Sequence, residues 1–228
     1  MNQTQKIKLS VDAVVFGYSS EKGILILLIK RNSRTFRGSW ALPGGLVRNE
    51  ESLEEAAKRE LNEETGVSIN FLEQLYTFGT PDRDPRNRAV SVAYYALVSP
   101  DAFTLQADTD ASAADWFSIE QLPELAFDHQ EIVATALKRL RSKVLYQPVG
   151  FELLEEKFPF SDLENLYQTL LGYPIDRRNF RKKVLKFGFV EATTERQKHA
   201  GSGRPGFLFR FNRQRYHELV EQGIHFEL

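Results

Sequence analysis

Three glutamates, Glu60, Glu63 and Glu64, crowd the segment RELNEETG at 59–66. If the chain is helical here, successive side chains are about 100° apart. With Leu53 at zero, the apolar residues Ala56, Ala57 and Leu61 mark an inward stripe from about −60° to about 80°. Glu60 and Glu64 fall inside that stripe, Glu63 at its edge, while Glu54, Lys58 and Asn62 point away. Carboxylates turned inward are expensive to desolvate unless they are protonated or paired with cations. Hard divalent ions such as Mg²⁺ take oxygen ligands and combine a few carboxylates with phosphates. A solvated helix face accounts for Glu54 and Glu55 but not for Glu60 and Glu64, so the pattern points to a cation site.

Other charged side chains stand near it in the sequence. The loop TPDRDPRNR (80–88) offers Arg83, Arg86 and Arg88 as grips for phosphate, against the alternative of a solvated turn. The same loop holds Asp82 and Asp84, and AFDHQE (126–131) holds Asp128, His129 and Glu131, among which a general base would have to be sought. Asp128 reads as the N-cap of a helix over 129–141, and His129 as structural.

The elements that position these groups follow from the apolar pattern. LSVDAVVF (9–16) and ILILLIK (24–30) read as strands, and RGSWALPGG (37–45) as a short strand running into a glycine turn. A helix spans 52–64, strands return at 71–79 and 89–98, and the helix from 128 to 141 closes an α/β unit. SKVLYQPVG (142–150) reads as a linker, giving units of 1–145 and 146–228. The 228 residues include no cysteine, which excludes disulfides and thiolate chemistry and suits a reducing compartment. The apolar run ILILLI is too short to span a bilayer, and MNQTQKIKLS lacks an apolar leader, so a cytoplasmic protein with no membrane partner is expected.

Net charge is −1, but it is unevenly spread. Between Asp176 and Arg215 twelve Lys and Arg face three acids, a net +9, leaving −10 on the remainder. Such a split implies a large anionic partner for one part of the chain. In the basic part, SDLENLYQTLLG (161–172) reads as a helix with Ser161 and Glu164 as a capping box and Gly172 as its stop. GFELLEEKF before it reads as a short helix. PIDRRNFRKKVLKFGF holds a third, capped by Asp176, with Phe180, Val184, Leu185 and Phe187 toward a core and Arg177, Arg178, Arg181, Lys182 and Lys186 outward. FVEATT and FLFRFN pair as strands across a basic tip containing Arg204. Helices followed by a hairpin resemble a winged helix-turn-helix, whose third helix enters the major groove and whose wing would bring Arg204 to a minor groove.

GLVRNEESLEEAAKRELNEETGV (45–67) resembles a complete Nudix box, matching at Gly45, Glu51, Arg59, Glu60, Leu61, Glu63, Glu64, Gly66 and Val67. The resemblance implies a mixed-sheet Nudix sandwich in which Glu60, Glu63, Glu64 and the Gly44 carbonyl surround Mg²⁺ or Mn²⁺. It implies that Arg59 holds the carboxylates, that Gly45 and Gly66 give backbone freedom, and that Gly45 and Glu51 lie beside the ligand. Together with RDPRNRAVSVAYYAL, LAFDH and DRRNFRKKV, the chain resembles the Nudix-related transcriptional regulators known for NAD metabolism. That family implies ADP-ribose or a related phosphorylated metabolite as effector, a double-stranded operator and a homodimer. The intact box keeps hydrolysis of the ligand open. The alternatives are a Mg²⁺-dependent ADP-ribose pyrophosphatase whose C-terminal unit serves dimerisation, and an enzyme of modified nucleic-acid ends.

Overall fold

The computed structural model describes residues 6–69, 72–106, 111–197, 206–223 and 226. Strands β1 (Lys8–Ser19) and β2 (Gly23–Arg31) are the longest apolar stretches and are buried continuously over 11–17 and 24–29. A strand covered on both faces loses the alternation of a half-exposed one and reads as a continuous hydrophobic run. They belong to a seven-stranded mixed sheet with β3 (Trp40–Ala41), β4 (Gly44–Leu46), β5 (Glu73–Phe78), β6 (Ala89–Leu97) and β7 (Ala111–Ser118). Its central order is β3-β2-β1-β6-β5, with β4 on β1 and β7 on β2. The β1–β6 pair is parallel, and β4, β3 and β7 pair antiparallel with their neighbours. β7 is missing from the sequence reading because ASAADWFS is small and polar, and its partner β2 supplies the apolar surface.

Helix α1 (Leu53–Thr65) packs on one face of this sheet through Ala56, Ala57 and Leu61, against Val11, Ala13 and Val15 of β1 and Val92, Tyr94 and Ala96 of β6. Side chains alternate along a strand, so Asp12 and Ser91 belong to the opposite face. Ser52 caps α1 by accepting from Glu55 N, while the Glu55 side chain accepts from Ser52 N. Gly66 ends it at φ 74°, the left-handed cap that favours glycine. Helix α2 (His129–Tyr146) buries Ile132, Val133, Ala136, Leu140 and Val144. It runs through the stretch expected to be a linker, because this 3–4 spacing of apolar residues continues past Arg141.

Two compact units emerge, residues 1–17 with 24–139, and residues 18–23 with 140–228. The second holds α3 (Phe160–Leu171), α4 (Arg177–Phe187), α5 (Arg213–Glu221) and a three-stranded sheet. In that sheet β10 (Phe207–Phe211) lies between β8 (Lys157–Pro159) and β9 (Val190–Arg196). The helix expected in GFELLEEKF is instead a single 3₁₀ turn at Phe151–Leu153 leading into β8. Helix α3 begins at Phe160, not after a Ser161 cap. The Phe160 ring is buried against Phe180 and Phe209, and Glu164 is buried facing Arg177. Its end at Gly172, φ 77°, and the Asp176 cap of α4 are as the sequence indicates. Leu185 is a correction, 37% exposed where a core position was expected, whereas Phe180 and Val184 are buried.

Ser52 satisfies an otherwise unpaired N–H at the start of α1. Ser52→Ala is expected to destabilise the first unit by about 1 kcal/mol. Denaturant titration read by the exchange of α1 amides checks this, and an unchanged midpoint would mean that solvent replaces the cap.

Candidate functional site

The turn before α1 and the helix itself are tied together by one guanidinium. Arg59 donates from Nε and Nη2 to Glu51 at 2.8 and 2.6 Å, from Nη1 to Glu60 at 2.7 Å and Glu63 at 3.1 Å, and from Nη2 to the Leu46 carbonyl at 3.2 Å. That bonding holds Glu51 down at about 2 and holds Arg59 more firmly protonated than usual. Burial pushes Glu60 up despite the adjacent Arg59. Glu64 is buried and accepts from the Gly44 N–H at 2.8 Å, while Glu63 is turned outward to Arg48 and Arg59.

The two glycines at the turn are held by closeness rather than by backbone freedom. A Cβ on Gly45 would lie inside the Glu60 carboxylate, and one on Gly44 inside the Val11 carbonyl and the Asp12 side chain. Gly44 and Gly45 thus allow β4 to lie directly on β1 and under α1. This differs from the freedom expected of Gly45, whose φ is not positive, whereas Gly66 does use it.

A cleft of about 500 Å³ opens beside these groups. Gly44, Gly45, Glu60 and Glu64 line it on the acidic side, and Lys8, Arg31, Arg48 and Arg86 bring positive charge. The acidic side offers oxygen donors, which suit a hard cation. Among the described residues no three His, Cys, Asp or Glu form an ion-holding group. Two cleft carboxylates are nevertheless what Mg²⁺ needs when the ligand's phosphates complete its shell, so the residues fit such an ion.

The three loop arginines separate. Arg83 is buried, donating to both oxygens of Asp128 at 2.8 and 2.7 Å and to Asp12 at 3.4 Å. Asp128, expected only as an N-cap, therefore anchors this guanidinium. Arg88 bonds the Thr80 and Ala89 carbonyls and is not among the residues lining the cleft. Arg83 and Arg86 both line it, and Arg86 is held by Asp84 at 2.9 and 2.7 Å, an ion pair that lowers Asp84. His129, expected to be structural, is buried with both ring nitrogens engaged and lines the cleft. Its Nδ1 accepts from Leu42 N at 2.9 Å, and its Nε2 lies 3.4 Å from Asp12, which also takes the Ser91 hydroxyl at 2.5 Å. Among the described residues no buried side-chain polar atom lacks a hydrogen-bond partner.

Several cleft residues escaped the sequence reading, among them Asp12 on β1, Arg31 at the end of β2 and Phe127 just before α2. Phe127 has φ 56°, a conformation costing a bulky residue roughly 1–2 kcal/mol. The phenylalanine in LAFDH was the only available signal.

In the second unit α4 exposes Arg177, Arg178, Arg181, Lys182, Lys183 and Lys186 and buries Phe180 and Val184. Arg181 lies over the Phe160 ring at 4.5 Å and the Phe209 ring at 5.2 Å, so its direction is constrained. Arg177 reaches back to Asn165 at 3.3 Å. The hairpin tip with Arg204 lies outside the described residues.

Comparison with known proteins follows these two units. Residues 6–137 match the NUDIX domain family and residues 150–211 the NrtR DNA-binding winged helix domain. The chain is 36% identical over 213 residues to the ADPR responsive transcriptional repressor NtrR of Acinetobacter baylyi, covering 91% of this chain and 83% of the relative. Shewanella oneidensis NrtR complexed with a 27mer DNA superposes with TM-score 0.78 at 33% identity, covering 92% of this chain and 95% of that one. The NUDIX domain of the same protein complexed with ADP ribose gives 0.55 at 37% identity, over 60% of this chain and 90% of that one.

Burial depresses His129 below its ordinary 6.5, outweighing the nearby Asp12 and Asp128. The unfolded chain therefore takes up this proton first. The contribution is complete above about pH 6.5 and is lost as pH falls from there toward the folded value. His129→Gln should shrink the stability difference between about pH 7.5 and 5.5, measured by urea titration. An equal acid destabilisation of both proteins would place the titration elsewhere.

Proposed function

The chain belongs to the Nudix family and carries the winged helix domain of its NrtR branch, and from that premise we propose a DNA-binding transcriptional repressor that responds to ADP-ribose. The observation that carries this reading is the helix α4, which turns six basic side chains to solvent and only Phe180 and Val184 to the core. A basic helix of this kind neutralises phosphates and displays side chains to base edges. Arg177, Arg178, Arg181, Lys182 and Lys186 are assigned to DNA, with Arg204 at the wing. The operator is palindromic and the protein binds it as a homodimer, so every contact is made twice. No described helix is long and apolar enough to cross a membrane.

The effector is ADP-ribose or a close nucleoside-diphosphate relative, taken by the cleft of the first unit. A Mg²⁺ or Mn²⁺ ion would be held by Glu60 and Glu64, with Glu63 and the Gly44 carbonyl in support, and would neutralise the diphosphate oxygens. Arg59 and Glu51 keep those carboxylates in place. Gly45 leaves room for Glu60, and Arg86 supplies positive charge opposite. Arg83 contributes indirectly, by fixing the wall that carries Asp12, Asp128 and His129.

A second reading, hydrolysis of the same ligand to AMP and ribose 5-phosphate, is favoured by the complete set of box residues. Set against it, Asp12 and Asp84, the two described cleft carboxylates outside the box, are each engaged with an arginine. A general base must accept a proton, and an ion-paired carboxylate is a weaker one.

The test is DNA binding by the intact protein to sequence upstream of its own coding region, with and without ADP-ribose and Mg²⁺. Binding should fall steeply with salt, and ADP-ribose should shift it. Lys182→Ala should weaken all sequences alike and reduce the salt slope by about 1 for each phosphate it no longer neutralises. Glu64→Gln should abolish the ADP-ribose shift while leaving DNA affinity intact. No binding at low salt would overturn the repressor reading, and release of AMP above background would establish the second.

A further inference from the structure

Among the described residues two non-glycine residues have positive φ, Phe36 at 56° and Phe127 at 56°. They touch each other, with ring centroids 4.7 Å apart and planes at 66°. Backbone strain in bulky residues persists only where the surroundings enforce it, and it gathers at ligand sites. Here it gathers on the wall of the cleft, which Phe127 lines.

What surrounds Phe127 gives the strain a purpose. The Arg31 guanidinium lies 4.8 Å from its ring centroid and that of Arg86 lies 5.5 Å away. Arg31 is aimed by two neutral acceptors, the Thr35 carbonyl at 3.2 Å and the Ser33 hydroxyl at 2.5 Å. Asp84 takes the Nε and Nη2 edge of Arg86 and so fixes the plane of that group. Three segments distant in sequence, the β2–β3 loop, the 80–88 loop and the approach to α2, thus converge on one ring. Each guanidinium is drawn electrostatically to the aromatic face, so one ring helps to hold both beside the cleft.

The geometry points to Phe127 as the positioning residue of a two-arginine anion subsite, in which Arg31 and Arg86 grip the phosphate oxygens of the ligand. This rests on the cleft being the effector site. Guanidinium groups suit the task because they offer paired donors at the spacing of phosphate oxygens. The subsite adds Arg31 to the arginines of the 80–88 loop as a grip for a nucleoside diphosphate. Phe127 acts through the arginines, so its contribution should vanish when they are removed.

Calorimetry on the intact protein tests this with two probes, ADP-ribose and inorganic pyrophosphate, each with Mg²⁺ and with EDTA. Phe127→Leu should weaken both probes by roughly tenfold, and Phe127→Tyr, which keeps the ring, should restore affinity to within about twofold. In the Arg31→Ala/Arg86→Ala background, Phe127→Leu should cost less than about twofold more. A merely structural role would move affinity in that background too, and full additivity would overturn the proposal, as would an unchanged Phe127→Leu. Wild-type protein that takes pyrophosphate but not ADP-ribose would remove the effector and leave the subsite standing. Binding of neither probe would overturn the subsite as well.

Discussion

Negative charge can be turned toward a sheet only if something positive holds it there, and in this protein that something is Arg59. One guanidinium bonds Glu51 before the helix, Glu60 and Glu63 within it and the Leu46 carbonyl on the strand beneath. Strand, turn and helix are therefore locked by a single side chain, and the spacing of the box is the spacing of its hydrogen-bond partners. Remove the charge, and Glu60 is left desolvated beside a glycine that offers it no donor side chain. A partly buried charge left without its partner is destabilising, which ties Arg59 to the fold as well as to any chemistry.

A second buried ion network lies on the other face of β1. Asp12 gathers Arg83, Ser91 and His129, and Asp128 holds Arg83 from the approach to α2. The two networks meet where β4 pairs with β1, Gly44 opposite Asp12. The cleft sits between them, so its walls are held by fully engaged charges while its lining keeps carboxylates and guanidiniums of opposite sign. That separation suits a ligand that carries its own negative charge and brings a cation with it.

The box was legible because its contacts are local. Helical periodicity placed Glu60 and Glu64 inward and Glu63 at the edge, as found. The strands β1, β2 and β6 were legible because apolar residues predominate in them, and α4 because its charges and its Asp176 cap are contiguous. What failed was what distance in sequence conceals. Arg83 meets Asp128 across 45 residues and Asp12 across 71, and no periodicity announces either. Arg31 and Phe127 belong to different elements and declare themselves only together. β7 and α5 were missed for a related reason, since their polar sequences take their order from neighbours. The Ser161 cap was a sound local signal overruled by the burial of Phe160.

The contact between Gly45 and Glu60 has an evolutionary edge. The glycine is required only while the carboxylate is there, because the space a methyl group would need is the space the carboxylate fills. A descendant that loses Glu60 to a smaller residue releases Gly45 to drift. Once alanine settles there, a glutamate restored at 60 must turn its carboxylate aside and cannot retake the place it holds against Gly45. Loss of this carboxylate therefore behaves as a ratchet, and in a lineage the two sites should be inherited as one character.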